Sequence, residues 1–279
     1  MTKTASIPWD DKSLFISEEY GTNGTIIAIH GLTGSHKNMV HYARHLMGDY
    51  RIISVDLRGR GNSSAMEKTP SIFQHAEDIL HLVNTLQIDK PIFLGHSMGA
   101  FISTIIASKL PSTKAVILLD GAATMSDHQD AIVQPSLGRL SKKYTSKHHY
   151  LEEIKNIYNN LGVKWTTDVQ ACAEYEVAPV GDYWENRSNE ESIRKDWESF
   201  YTYEPKEICS NIKCPVLFVY AEGNNGLLPA LFRLSDYENT LKSLQNVETF
   251  ISDCNHYTMV FEKRDDILQA IDEFLEKFK

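Results

Sequence analysis

Pro91-Ile92-Phe93-Leu94-Gly95-His96-Ser97-Met98-Gly99-Ala100-Phe101-Ile102-Ser103-Thr104-Ile105-Ile106-Ala107-Ser108 decides how the rest of the chain is read. A short apolar strand runs into the pattern Gly-x-Ser-x-Gly, and an apolar stretch of helical length follows. The bare pattern recurs by chance. Strand, sharp turn and helix together are the setting in which its serine is a nucleophile. The turn is too tight for side chains on either side of Ser97, which explains the glycines. It also holds the serine in a strained conformation that exposes the hydroxyl. The competing reading is an ordinary strand–helix turn, and the flanks favour the nucleophile.

Outward from this turn the chain alternates. Upstream, 25–29 (Thr-Ile-Ile-Ala-Ile) and 51–55 (Arg-Ile-Ile-Ser-Val) read as buried strands, with a helical pattern between them over Asn38 to Met47. Pro70-Ser71 opens a helix whose apolar residues, Ile72, Phe73, Ala76, Ile79, Leu80, Val83 and Leu86, recur at amphipathic spacing. Downstream, 115–119 (Ala-Val-Ile-Leu-Leu) is another strand. Continuous apolar strands interleaved with helices imply a mostly parallel, twisted sheet covered on both faces, an α/β fold. The rhythm stops over residues 123–205, where no comparable strand appears. That stretch is polar, helical by pattern and rich in aromatics: Tyr144, Tyr150, Tyr158, Trp165, Tyr175, Tyr183, Trp184, Trp197, Phe200, Tyr201 and Tyr203. Alternation resumes with strands at 215–220 and 247–251 and helices at 237–244 and 265–278. The expected organisation is an α/β core of residues 1–122 and 206–279, interrupted by a helical insert of residues 123–205.

Composition narrows the class. At 279 residues the chain is long enough for one sizeable core, or for a core plus a smaller insert. A net charge of −9 disfavours nucleic acid and anionic membrane as partners. No run reaches membrane-spanning length, and Met1-Thr2-Lys3-Thr4-Ala5-Ser6-Ile7-Pro8-Trp9-Asp10 lacks a signal-peptide core. The spacing of Cys172, Cys209, Cys214 and Cys254 fits no zinc pattern, and reduced thiols in a cytoplasmic protein are expected. His41 and His45 lie four apart, but the local sequence lacks the glutamate of a zinc-protease helix. No metal and no cofactor are expected, and a homo-oligomer stays open.

A serine hydroxyl needs a base, and the base must be oriented by a third group. His256 is the candidate. It sits in Asp253-Cys254-Asn255-His256-Tyr257, between the last strand and the last helix, where ligands of open α/β sheets collect. His96 adjoins the nucleophile, and its side chain is expected to point away from Ser97.

These residues resemble the α/β-hydrolase superfamily. His30-Gly31-Leu32 is similar to its His-Gly oxyanion motif. Asp56-Leu57-Arg58-Gly59-Arg60-Gly61-Asn62-Ser63 is similar to its Asp-x-x-Gly-x-Gly-x-Ser motif, read here as structural. Gly95 to Gly99 is the nucleophile elbow, and the His256 loop takes the terminal position. The resemblance implies a sheet of eight strands or slightly fewer, with a helical cap between strands six and seven. It implies an oxyanion hole formed by the N–H groups of Leu32 and Met98.

The acid departs from the family pattern. Its usual position after strand seven, in Tyr220-Ala221-Glu222-Gly223-Asn224-Asn225-Gly226, holds Asn224. An amide lacks the charge that stabilises imidazolium. Asp120, at the end of 115–119, is favoured; Glu222 is the alternative, and a dyad or degraded site is a third reading. The function expected is a serine hydrolase of the carboxylesterase or lactonase kind. It would act on a carboxylic ester, lactone or thioester of a small molecule with an apolar or aromatic group. A carbon–carbon bond hydrolase or a perhydrolase would keep the same triad. From another class, a low-turnover ligand-binding protein on this scaffold is the rival, motivated by Asn224.

Overall fold

The computed structural model describes residues 2–66 and 69–278, so Met1, Glu67, Lys68 and Lys279 lie outside the described residues. The strands are β1 (Lys3–Trp9), β2 (Lys12–Glu19), β3 (Thr25–Ile29), β4 (Arg51–Asp56), β5 (Ile92–His96) and β6 (Ala115–Leu119). They continue with β7 (Val177–Val180), β8 (Tyr183–Asn186), β9 (Val216–Ala221) and β10 (Val247–Ser252). Eight of them form one sheet in the order β1-β2-β4-β3-β5-β6-β9-β10. Pairing is parallel from β4 through β10 and antiparallel for β1–β2 and β2–β4. The mostly parallel sheet inferred from the sequence is therefore present.

The helices are α1 (Val40–Leu46), α2 (Ile72–Thr85), α3 (Met98–Lys109), α4 (Asp127–Leu137), α5 (Lys147–Asn160) and α6 (Thr167–Glu176). After them come α7 (Glu190–Ser199), α8 (Pro205–Ser210), α9 (Glu238–Ser243), α10 (Thr258–Phe261) and α11 (Asp265–Leu275). The central strands are buried throughout, and alternate residues serve two cores. Ile27, Phe93 and Val116 pack on one face with α2 and α3; Ile26, Leu94 and Ile117 pack on the other with α1 and α11. Burial on both faces explains why these strands are continuously apolar in sequence. Helix α2 begins as its sequence predicts, with the Ser71 hydroxyl capping the N–H of Gln74.

Two features carried no clear sequence signal. The hairpin β1–β2 has an outer strand that is mostly exposed, so its apolar content is low. Its two-residue turn places Asp10 at φ 48°, as tight hairpin turns require. The insert, expected to be helical, also contains the hairpin β7–β8, with Gly181 at φ 59° in its turn. Tyr144 pairs with Trp184 through mutual backbone bonds of 2.9 and 2.8 Å and extends this ribbon. Helices α4 to α6 precede it in the chain and α7 follows it. The four cysteines are free thiols. Among the described residues, no helix is long and apolar enough to cross a membrane.

Candidate active site

Sheet order gathers the candidate residues. Ser97 follows β5, Asp120 follows β6 and the His256 loop follows β10, all at the carboxyl edge of the parallel strands. Ser97 stands between β5 and α3 at φ 52°, ψ −118°, a conformation an L-residue adopts only under strain. The surrounding glycines make that turn possible by close approach. A Cβ on Gly95 would sit 2.1 Å from the Gly99 carbonyl oxygen, and one on Gly99 would sit 2.1 Å from the Ile29 carbonyl oxygen.

His256 and Asp120 meet across 136 residues of chain: Nδ1 of His256 lies 2.7 Å from Oδ2 of Asp120. Both are almost completely buried. The other oxygen of Asp120 accepts from the Tyr237 hydroxyl at 2.9 Å and from the Ala221 N–H at 3.4 Å. An acceptor carboxylate beside Nδ1 fixes that nitrogen as the N–H and leaves Nε2 as a base. Glu222, the alternative acid, is exposed and makes no hydrogen bond to His256. Asn224 is also exposed; its side-chain oxygen accepts from the Ala230 N–H, and its carbonyl accepts from Asn255. Asn255 braces the histidine loop by accepting from the N–H groups of Tyr257 and Thr258. Ser97 and His256 line one cavity, with no hydrogen bond between them among the described residues. Such bonds are commonly long without substrate and tighten when it binds.

His96 corrects one expectation. Instead of turning away, its ring lines the same cavity as Ser97 and lies 4.7 Å from the His256 ring. Its Nε2 donates to the His256 carbonyl at 3.0 Å. Burial, then the neighbouring His256, push its pKa well below the ordinary histidine value. It therefore stays neutral and holds the His256 backbone.

The His30-Gly31-Leu32 segment is held from both sides. His30 donates from Nδ1 to the Gly31 carbonyl at 2.7 Å and accepts at Nε2 from the Leu57 N–H at 3.0 Å. Burial brings its pKa down to about 3, so the neutral ring both bonds require persists. Arg60 donates to the Leu32 carbonyl at 3.1 and 3.0 Å and pairs with Asp196 of α7 at 2.6 Å. It thus links the Leu32 peptide to the insert. Met98 opens α3, where first-turn N–H groups have no intrahelical partner.

The Asp56–Ser63 segment does not line the cavity. Asp56 accepts from the His36 backbone and ring, from Asn62 N–H and from the Tyr175 hydroxyl. Burial acts to raise its pKa, but these hydrogen bonds outweigh it and hold the carboxylate below its ordinary value. Tyr175 belongs to α6, so this is a second tie between core and insert.

The cavity encloses about 110 Å³ and opens between the sheet edge and the insert. Of the aromatics singled out in the insert, Tyr158 and Trp197 line it, together with aliphatic residues such as Val133, Leu137 and Ile157. Tyr144, Tyr150, Phe200 and Tyr203 are buried in packing contacts elsewhere. Two charged residues that the sequence did not single out, Arg139 and Glu176, also line it. They come from separate elements of the insert, and no local pattern marks them. Tyr237 and Arg60 had no more than a motif or helix context to draw attention to them.

Comparison with known proteins agrees with this architecture. Residues 24–263 match a family model described as alpha/beta hydrolase fold. A putative esterase/lipase of Haemophilus influenzae is 23% identical over 261 residues, which cover 90% of this chain and 83% of that protein. Esterase YbfF of Escherichia coli is 40% identical over 77 residues, 28% of this chain, and the match spans only 30% of that protein. The crystal structure of E-2-(acetamidomethylene)succinate hydrolase superimposes with a TM-score of 0.85 at 19% identity, covering 99% of this chain and all of that one. The sheet order, the strained turn and the family match over most of the length converge: the chain belongs to the alpha/beta hydrolase fold family.

Proposed function

We propose that the protein is a serine hydrolase that cleaves a carboxylic ester, lactone or thioester through an acyl-enzyme on Ser97. The observation that carries this reading is the buried Asp120–His256 hydrogen bond of 2.7 Å, opening onto the cavity that holds Ser97. Ser97 Oγ attacks the carbonyl carbon while His256 Nε2 takes its proton. Asp120 holds the imidazolium that results. The tetrahedral oxyanion accepts from the N–H groups of Met98 and Leu32. Collapse breaks the bond to the leaving group, which receives the proton from His256. Water then attacks the acyl-enzyme with His256 as base, and the acid departs. The enzyme acts on a small molecule, in the cytoplasm.

A carbon–carbon bond hydrolase or a perhydrolase would use the same side chains. The ligand-binding alternative draws on the amide at Asn224, and the Asp120–His256 hydrogen bond favours the hydrolase reading over it. The test is hydrolysis of 4-nitrophenyl acetate by wild type and Ser97→Ala, with labelling by a fluorophosphonate. Activity and labelling present in wild type and lost in the variant support the proposal. Equal activity in both, or no labelling of wild type, overturns it.

A further inference from the structure

The insert wall of the cavity carries a charge that acyl transfer does not use. Arg139 lies in a turn of 3-10 helix (Gly138–Ser141) directly after α4. Its side chain is 15% exposed and lines the cavity together with Ser97 and His256. Nη1 is buried with no hydrogen-bond partner among the described residues. The carboxylate beside it, Oε2 of Glu176, is 3.7 Å away, too far for a hydrogen bond.

Glu176 is already engaged. Oε2 accepts from the Tyr150 hydroxyl, and Oε1 accepts from the Tyr158 hydroxyl at 3.0 Å. Burial first, then Glu176 itself, push both phenols well above their ordinary pKa, so they remain donors. Two tyrosines from α5 thus hold the carboxylate at the end of α6. The guanidinium therefore keeps one nitrogen, Nη1, without a hydrogen-bond partner, and its side chain borders the cavity. Buried polar groups in native proteins are hydrogen-bonded, and a buried donor left without an acceptor is costly even beside a counter-charge. A guanidinium presents a planar fork that matches a carboxylate through two parallel bonds.

We propose that Arg139 binds a carboxylate carried by the substrate, so that the molecules cleaved at Ser97 are acidic, with an aliphatic or aromatic segment between the carboxylate and the reacting carbonyl. Val133, Leu137, Ile157 and Leu161 provide the apolar wall for that segment. The neighbouring Glu176 offsets part of the arginine charge, which suits a singly charged carboxylate over a dianion. The proposal rests on the hydrolase reading of Ser97 for its chemistry, but binding at Arg139 is measured separately.

The first measurement is calorimetric titration of Ser97→Ala with monomethyl glutarate and with its neutral counterpart, methyl pentanoate. The acid binds more tightly, and adding Arg139→Met weakens it about 10- to 100-fold, as expected for a charge-assisted bidentate contact. Arg139→Lys keeps the charge and recovers part of that loss, and circular dichroism verifies that each variant is folded. Equal affinity for the two probes, or acid binding indifferent to Arg139→Met, overturns the proposal.

The second measurement is the ratio of kcat/KM for 4-nitrophenyl hemiglutarate to that for 4-nitrophenyl pentanoate. This ratio falls about 10- to 100-fold in Arg139→Met, mainly through KM. Ser97-dependent turnover of both esters with a ratio indifferent to Arg139 defeats this inference and leaves the hydrolase reading standing. Arg139-dependent binding without turnover of either ester does the reverse.

Discussion

Asp120→Asn tests the candidate triad most sharply, because the structure dictates how the new amide must sit. Oδ1 of Asp120 receives two donors, the Tyr237 hydroxyl at 2.9 Å and the Ala221 N–H at 3.4 Å, while Oδ2 faces His256. An asparagine satisfies both donors only by placing its carbonyl oxygen where Oδ1 was. Its NH₂ then points at Nδ1 of His256, which must give up its proton and become an acceptor. The proton moves to Nε2, the nitrogen that has to receive the Ser97 proton. Loss of the anion adds to this, since nothing then stabilises the imidazolium. A wrong tautomer of this kind costs about 10⁴-fold in turnover, or about 5 kcal/mol of transition-state stabilisation. The fold is hardly affected, because every hydrogen bond of the buried site keeps a partner. The assay is kcat/KM on 4-nitrophenyl acetate, with urea unfolding of the same preparations and Glu222→Gln as the control. Glu222 is exposed, so that control stays near wild type. An Asp120→Asn enzyme within tenfold of wild type, or a larger loss in Glu222→Gln, refutes the reasoning.

Tyr237→Phe removes one donor from Asp120 and lowers kcat/KM about fivefold, the worth of one neutral hydrogen bond, with a small loss of stability by urea unfolding. Asp196→Asn leaves Arg60 buried without its carboxylate and destabilises the fold by about 3–5 kcal/mol in denaturant titration. Because Arg60 also holds the Leu32 carbonyl, activity at a temperature where the variant is folded drops with it. Gly99→Ala places a methyl 2.1 Å from the Ile29 carbonyl oxygen, and no folded, labelled protein is expected from it by fluorophosphonate gel assay. His30 has a folded pKa of about 3 against an ordinary 6.5, so the unfolded chain binds its proton first as pH falls. Its contribution is complete above pH 6.5 and declines as pH drops from there toward 3. Histidine-selective NMR then shows His30 neutral at pH 5, and a ring titrating near 6.5 would contradict this.

Much of the molecule was legible in one dimension because its determinants are local. Continuous apolar runs specify strands buried on both faces, and the Ile72 to Leu86 spacing specifies a helix with one buried stripe. Gly95 and Gly99 report a turn where a Cβ has no room. These are statements about neighbours in sequence, so Ser97, the His256 loop and the His30-Gly31-Leu32 segment stand out as candidates from the sequence alone. Hairpins β1–β2 and β7–β8 escaped because an exposed edge strand and a short ribbon need little apolar content.

What only the folded chain decided are the contacts between distant residues. Which carboxylate meets His256 depends on the sheet order, and the loops after β6 and β10 bring Asp120 to it while Glu222 is exposed. The placement of His96 on His256, the Arg60 tie to Asp196, and Arg139 beside a Glu176 already engaged by two tyrosines are of the same kind. Hydrogen bonding and charge pairing act over a few ångströms in space and are indifferent to separation along the chain. A sequence therefore states which chemical groups are present and what local shape each turn takes, and the tertiary fold determines which of those groups meet.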